Sequence, residues 1–338
     1  MSDKISISVV IPTWNRVEKL ICCIKAIISQ SKDIEYEIII CDSNSTDNTE
    51  KKVNKFIFEK KIDNIYIIHS KNNSICEKRN AGIIKAKYNH ILLLDDDCIP
   101  INNTIKEFIE LFKLNNKKNI YCGQYITKKN LLKKSNYYRY RDSRNFKIQK
   151  SNNFIELNFN RIVTGVCGFE KTEILKKNIL FNENIIGYGL EDADWAWRLI
   201  KDDFKILGAK PEVLHDETSG DIINYTIKIS HVAFTAMPHL IDQNMDAARQ
   251  IPLYYLEKES NNKIGLIIKV LLNLFLYKIL YNLLKIYLRN TDRISLLYSP
   301  FLFRLTLFFA YYHGMQRRRK ETFNIHDSRK GWFSRGYK

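Results

Sequence analysis

An alternation over the first hundred residues limits this chain more than any other feature. Short β-branched and aliphatic runs stand at 5–11 (ISISVVI), 36–40 (YEIII), 64–68 (NIYII) and 90–94 (HILLL), separated by helical apolar spacing at about 15–29, 47–60 and 77–88. Runs that are apolar throughout belong to strands covered on both faces, and strands that take turns with helices build a mostly parallel sheet. The expected class is therefore α/β. The 338 residues and 45% apolar content supply a sizeable core and exclude a disordered chain. Asp47, with Glu50 three residues on, reads as the start signal of the second helix.

In open sheets of this kind ligands bind beyond the carboxyl ends of the strands. Those positions hold Thr13 to Arg16, Asp42 to Asp47, and Asp95 to Asp97. In LLLDDDCIP an apolar strand ends in three carboxylates, and like charges this close raise one another's pKa unless a cation or donor offsets them. Strand alternation would turn Asp95 and Asp97 the same way, towards one ligand and its divalent metal. Magnesium and manganese take oxygen ligands and bridge phosphates. A turn cap is the plainer alternative. In IICDSNSTDNT, Asp42 precedes a Ser/Asn-rich turn into a helix, which suits a nucleotide or phosphate but also an ordinary turn. In NIIGYGLEDADWAWRLIK, Gly187 and Gly189 permit a bend, after which Glu191, Asp192 and Asp194 open a helix carrying Trp195, Trp197 and Arg198. Acidic residues suit a first helical turn. Two tryptophans beside carboxylates also describe a sugar site, with a carboxylate as general base towards a hydroxyl.

Together, SVVIPTWNR, CDSNSTDNT, EKRNAGI, the Asp triplet, VTGVCGFEKTEIL and GLEDADWAWRL resemble the family-2 glycosyltransferases, inverting enzymes of the GT-A fold, over about residues 5–215. The chain departs from the family's usual double Asp after the second strand, which here is Asp42-Ser43. The resemblance implies that Pro12, Thr13, Asn15 and Arg16 border the nucleotide of a nucleotide-sugar donor, that Asp42 accepts from the uracil ring, and that Arg79 lines the donor pocket. It further implies that Asp95 contacts the donor ribose beside Asp96, that Asp97 holds Mn2+ or Mg2+ with His215 completing the shell, and that Asp192, beside Glu191, is the base. Gly189, Trp195 and Trp197 then border the acceptor or sugar. The implied architecture is a catalytic domain over 1–218 and a helical extension over 219–338.

Fifty-four Lys and Arg against 37 Asp and Glu give a net charge of +17, which points to an anionic partner. A nucleic-acid-binding protein is disfavoured, because the basic and aromatic residues match no binding module and an acidic triplet repels phosphate. A sugar-nucleotide nucleotidyltransferase needs a Gly-rich loop after the first strand, and no glycine precedes Gly82. Loss of a key carboxylate would mark a dead scaffold, and all are present. The seven cysteines form no C-x-x-C pair and read as buried thiols of a reducing compartment. With no apolar leader pattern after Met1, the expectation is a cytoplasmic protein. Residues 128–150 carry nine Lys or Arg against one Asp, interleaved with Tyr137, Tyr138, Tyr140 and Phe146, and read either as a solvated loop or as a mobile cationic loop facing the acceptor.

From 264 to 320 the chain is far more apolar. Helical spacing places Lys278, Asn282, Lys285 and Arg289 on one stripe, with Lys269 and Asn273 nearly opposite, so a break is expected near Leu276. A second run is interrupted by Pro300 and Arg304. Neither run reaches about 18 apolar residues with few or no charges. The expectation is a peripheral amphipathic surface on the inner face of the cell membrane, where a glycan or lipid-linked acceptor would be met, with Arg317, Arg318, Arg319 and Lys320 as a basic cluster for anionic lipid. A homodimer interface or a buried helical subdomain is the alternative.

Overall fold

The computed structural model describes residues 5–148, 153–185, 187–217, 220–274 and 277–318. The four apolar runs are strands: β1 (Ile7–Thr13), β2 (Tyr36–Asp42), β3 (Ile65–His69) and β4 (His90–Leu94). They are joined by α1 (Val17–Gln30), α2 (Thr49–Lys60) and α3 (Ile75–Lys85). There follow β5 (Cys98–Pro100), α4 (Thr104–Phe112), β6 (Asn119–Ile126), α5 (Lys129–Lys134), α6 (Asn136–Asp142), β7 (Phe154–Glu156), β8 (Val166–Glu170), α7 (Lys171–Lys176), α8 (Glu191–Lys201) and β9 (Lys205–His215).

The sheet order is β3-β2-β1-β4-β8-β6-β9-β5, with β7 also on β9. β1 to β4, β6 and β9 run one way, and β5, β7 and β8 run against them, so the sheet is mostly parallel. All seven residues of β1 are buried, as an uninterrupted apolar run requires. Val9 and Ile11 pack with Leu20 and Ile24 of α1 on one face, while Val10 packs with Ile83 of α3 on the other. Each such side chain contributes about 1.5–3 kcal/mol on burial. Gly82 lets α3 approach, since a Cβ there would lie 2.2 Å from Val10 Cγ1.

Asp47 clamps two helix starts, accepting from the N–H of Val17 (3.0 Å) and of Thr49 (3.2 Å). Glu50 does not close the expected capping box; it lies 3.7 Å from His69. The basic segment is neither a solvated nor a mobile loop. Its tyrosines 137, 138 and 140 and Phe146 are buried, and the Tyr140 ring lies flat on Phe303, 4.7 Å between centroids. Residues 149 and 150 of that segment lie outside the described residues.

The helices after the sheet are α9 (Ile222–His231), α10 (Met237–Gln243), α11 (Met245–Gln250), α12 (Lys263–Leu274), α13 (Tyr277–Asn290) and α14 (Pro300–Arg318), with a π turn at Val232–Ala236. α14 corrects the expectation for the second apolar run. It is the packed spine of this region, with Phe303, Phe309, Ala310 and Tyr312 buried. Pro300 does divide the apolar run, since the helix starts there, where a missing N–H costs no hydrogen bond, whereas Arg304 does not interrupt it. The expected basic cluster is also partly committed: Arg318 pairs with buried Glu257, and Arg317 lies over Phe234. Arg319, Lys320 and the break near Leu276 fall outside the described residues. No single described helix is long and apolar enough to cross a membrane; α12 and α13 pass that test only as a pair bent by 81°.

Candidate active site

The carboxyl ends of β1, β2, β4 and β9 bring the first group of residues together. Pro12 and Thr13 end β1 in register with Cys41 and Asp42 of β2. Thr13 donates to Asp96 Oδ2 at 2.8 Å. Asn15, at φ +53°, donates its N–H to Ser45 Oγ (2.8 Å) and accepts from Thr46 N–H (2.6 Å), tying the β1 and β2 loops. Asp42 is buried and accepts from both the N–H and the hydroxyl of Ser45. Arg16 reaches Asp96 at 3.0 Å and Asp97 at 2.8 Å.

The acidic triplet departs from strand alternation. Cys98 N–H bonds Asp95 O at 3.0 Å and closes a turn, so Asp95 goes to Arg79 while Asp96 and Asp97 share Arg16, instead of Asp95 and Asp97 facing alike. Asp95 accepts from Arg79 (3.1 Å), Asp96 from Thr13 and Arg16, and Asp97 from Arg16, with His215 Nε2 at 3.8 Å. Burial, with the charge of Asp97 beside it, pushes the Asp96 carboxyl up to about 6 despite Arg16. Burial acts on Asp97 too, but His215, Arg16 and Lys19 outweigh it and hold that carboxyl below its ordinary value.

The second group comes from the start of α8. Gly187 (φ +103°), Gly189 (φ +87°) and Leu190 (φ +70°) are all left-handed, and for Leu190 this costs on the order of 1–3 kcal/mol. The turn lies on the π turn of the helical region: a Cβ on Gly187 would stand 2.3 Å from Thr235 Oγ1, and one on Gly189 would stand 3.2 Å from Val232. Arg79, buried, joins the two groups by binding Asp95 with Nη2 and Glu191 with Nη1 (3.5 Å). Burial and the adjacent Asp192 push the Glu191 carboxyl up to about 7, with Arg79 opposing. Asp192 is raised by burial, and its Oδ1 accepts from Ala193 N–H at 2.8 Å. Two buried atoms of this pair, Arg79 Nε and Glu191 Oε2, lack a hydrogen-bond partner.

The tryptophans need correction. Trp195 is completely buried, donates to Ile179 O at 2.8 Å and packs between Phe169 and Phe181, so it is core and cannot be a platform for a sugar. Trp197 is partly buried, edge-on to Phe159 at 5.1 Å and under Lys201. Residues two apart on a helix point away from each other, so the pair cannot form one stacking surface.

The test of a metal site is local. Ligand atoms of Asp97, Cys98 and His215 all lie within 4.8 Å of one another. Burial drives the Cys98 thiol well above its ordinary pKa, while Asp97 and His215 offer an oxygen and an imidazole as donors. Those two fit a hard or borderline divalent cation. His215 is braced by Tyr125, stacked at 4.7 Å.

Three participants escaped the sequence reading. Lys78, beside Arg79 in EKRNAGI, is buried with Nζ on Thr13 O (3.1 Å) and Asn73 Oδ1 (2.9 Å), and burial lowers it to about 8. Its signal was a second cation in a helix start facing strand ends. Arg141 and Glu217 line a pocket with Thr127, Tyr138, Asn145 and His215. Burial acts to raise Glu217, but Arg141 and Lys228 bring it down to about 2.

Comparison with known proteins accords with this geometry. Residues 8–178 match the profile of "Glycosyl transferase family 2". A chondroitin synthase of Escherichia coli is 33% identical over 107 residues, which is 31% of this chain and 15% of that protein. The poly(ribitol-phosphate) beta-N-acetylglucosaminyltransferase TarP of Staphylococcus aureus is 30% identical over 125 residues, 35% of this chain and 36% of TarP. The chain thus matches well under half the length of these relatives. Among solved structures, GalNAc-T7 with UDP, GalNAc and Mn2+ superposes with a TM-score of 0.50 at 12% identity, covering 68% of this chain and 48% of that one, a likeness of fold. A sheet with strand ends converging on paired Arg and Asp, and a family profile spanning half the chain, place this protein in glycosyl transferase family 2 as a glycosyltransferase of the GT-A fold.

Proposed function

We propose that this chain is an inverting transferase that moves a sugar from a nucleoside-diphosphate donor, with uridine as the nucleoside, to a hydroxyl of a glycan or lipid-linked acceptor in the assembly of cell-surface polysaccharide. One observation carries the reading: the Arg79 guanidinium binds Asp95 at the end of β4 and Glu191 at the start of α8, so donor-side and base-side carboxylates share one cleft. The names of the relatives, a chondroitin synthase and a poly(ribitol-phosphate) transferase, support a polymeric acceptor.

The proposed roles are those the family resemblance implies, and the placement of the residues supports them. Thr13, Asn15, Arg16 and Asp42 border the nucleotide, and Asp95 meets the ribose. Asp97 and His215 would hold Mn2+ or Mg2+, which when bound neutralises charge on the departing diphosphate. Arg79 fixes Glu191, leaving Asp192 to accept the proton of the acceptor hydroxyl as it attacks from the face opposite the diphosphate. One displacement inverts the anomeric centre without a covalent enzyme intermediate.

The decisive test is Asp192→Asn, which keeps shape and removes basicity. Donor binding by calorimetry is expected to persist while transfer collapses. Normal transfer by Asp192→Asn, with loss in Glu191→Gln, would move the base one residue back.

A further inference from the structure

The outward face of α13 is apolar and the inward face is anchored. At about 100° per residue, Ile279, Leu280, Leu283, Ile286 and Tyr287 fall within one arc of about 120°, and all five are exposed. Tyr281 and Leu288, on the far side, are buried against the rest of the protein. Lys278, Lys285 and Arg289 lie between the two, along one edge of the apolar arc. On α12, Ile264, Ile267 and Val270 are likewise exposed, and Gly265 seats the helix: a Cβ there would lie 1.9 Å from Tyr255 O. The connection that follows α13 adds Leu296, 91% exposed, and the first turn of α14 adds Phe301, 68% exposed.

Charge says what covers this face. Residues 262–301 contain six Lys or Arg and one acid, Asp292. Asp292 is itself turned into the protein, accepting from Tyr137 N–H at 2.8 Å. A second protein copy would bring the same one-signed edge against itself, which like charges oppose. An anionic bilayer offers the complement, with acyl chains for the apolar arc and phosphates for the basic edge.

We infer that α12, α13 and the 294–301 connection form a docking surface for an anionic lipid bilayer, with the helices lying in the interface. Beyond Phe301 in its first turn α14 takes no part, because Phe303, Phe309, Ala310 and Tyr312 are buried in the interior. The inference is independent of the catalytic reading.

The test uses the full chain sedimented with vesicles of phosphatidylglycerol and phosphatidylcholine, and with phosphatidylcholine alone. Binding is expected to the anionic vesicles, weakening with salt, and to be far weaker on the neutral ones. Leu283→Glu with Ile286→Glu, both exposed and so expected to melt as the wild type does, should abolish it. Lys278→Glu with Arg289→Glu should lower the partition coefficient on the order of tenfold or more. The second pair keeps the apolar arc intact and serves as the check should the first pair alter folding. Equal binding to neutral vesicles would overturn the anionic assignment. Absence of vesicle binding, or a dimer in sedimentation velocity that the Leu283/Ile286 pair dissolves, would overturn the surface altogether.

Discussion

Around the sheet, β1 is buried along its whole length, and the cations at the strand ends are held in pairs, Arg16 with Asp96 and Asp97, Arg79 with Asp95 and Glu191. Around α12 and α13 the arrangement is reversed, with apolar side chains outward and cations along an edge without acids to match them. The helical stretch is the more apolar of the two by sequence, yet it is the one that exposes apolar side chains, so apolar content alone does not decide what is buried. On the two proposals made above, what differs is the medium each face would meet. A cleft that binds a phosphorylated, hydroxylated ligand needs fixed charges with fixed partners, whereas a face meant for a fluid surface needs area and one sign of charge.

The comparison breaks most sharply at Asp97. Asp97→Ala is expected to cut diphosphate release by orders of magnitude while leaving vesicle sedimentation as it was. Full activity in excess chelator would remove the metal from the proposal. Next comes Arg79→Met, which leaves Asp95 and Glu191 facing each other without their cation. Breaking a buried pair in this way costs about 3–5 kcal/mol, readable by urea denaturation, whereas Arg289→Met on the outer edge should stay within about 0.5 kcal/mol. Equal effects at the two arginines would mean that the regions do not differ as described.

Gly187→Ala probes the seam between them. Its φ of +103° and the 2.3 Å approach of Thr235 Oγ1 should cost about 1–3 kcal/mol and lower turnover by displacing Glu191 and Asp192. Wild-type turnover with wild-type melting would show that the seam adapts. The smallest effect is a pH dependence. Glu191 is pushed up to about 7, so between its ordinary range and neutrality the folded chain holds a proton that the unfolded chain has lost. Its contribution is full below about 4.5 and declines as pH rises through 7, because stability falls with pH wherever the folded state binds more protons. Glu191→Gln should flatten that segment of a melting-temperature profile; an unchanged slope would place the titration elsewhere.

The strands β1 to β4 were readable because burial on both faces leaves an unbroken apolar run, a pattern no amphipathic helix makes. The clustering of Thr13, Arg16, Asp42 and the Asp triplet followed from that, since parallel strands put their carboxyl ends together. The direction of each Asp did not follow, because a turn at Asp95–Cys98 overrides alternation. Trp195 was misread for a related reason: an aromatic beside carboxylates looks the same whether its side of the helix meets a sugar or Phe181, and only the packed sheet decides. Residues 128–147 were beyond local reading altogether. Tyr140 is buried by Phe303 and Arg141 is held by Glu217, partners far along the chain that a basic, tyrosine-rich stretch does not announce.

That last pairing has a thermodynamic consequence. Tyr140 and Arg141 are neighbours on α6, yet one ring lies flat on the helical region and the other side chain reaches the pocket beside His215. If occupancy of the pocket favours one setting of α6, and that setting alters the packing of Tyr140 on Phe303 by some free energy, a change in that packing must alter affinity in the pocket by the same amount. A substitution at Phe303 is therefore also a reading of the pocket.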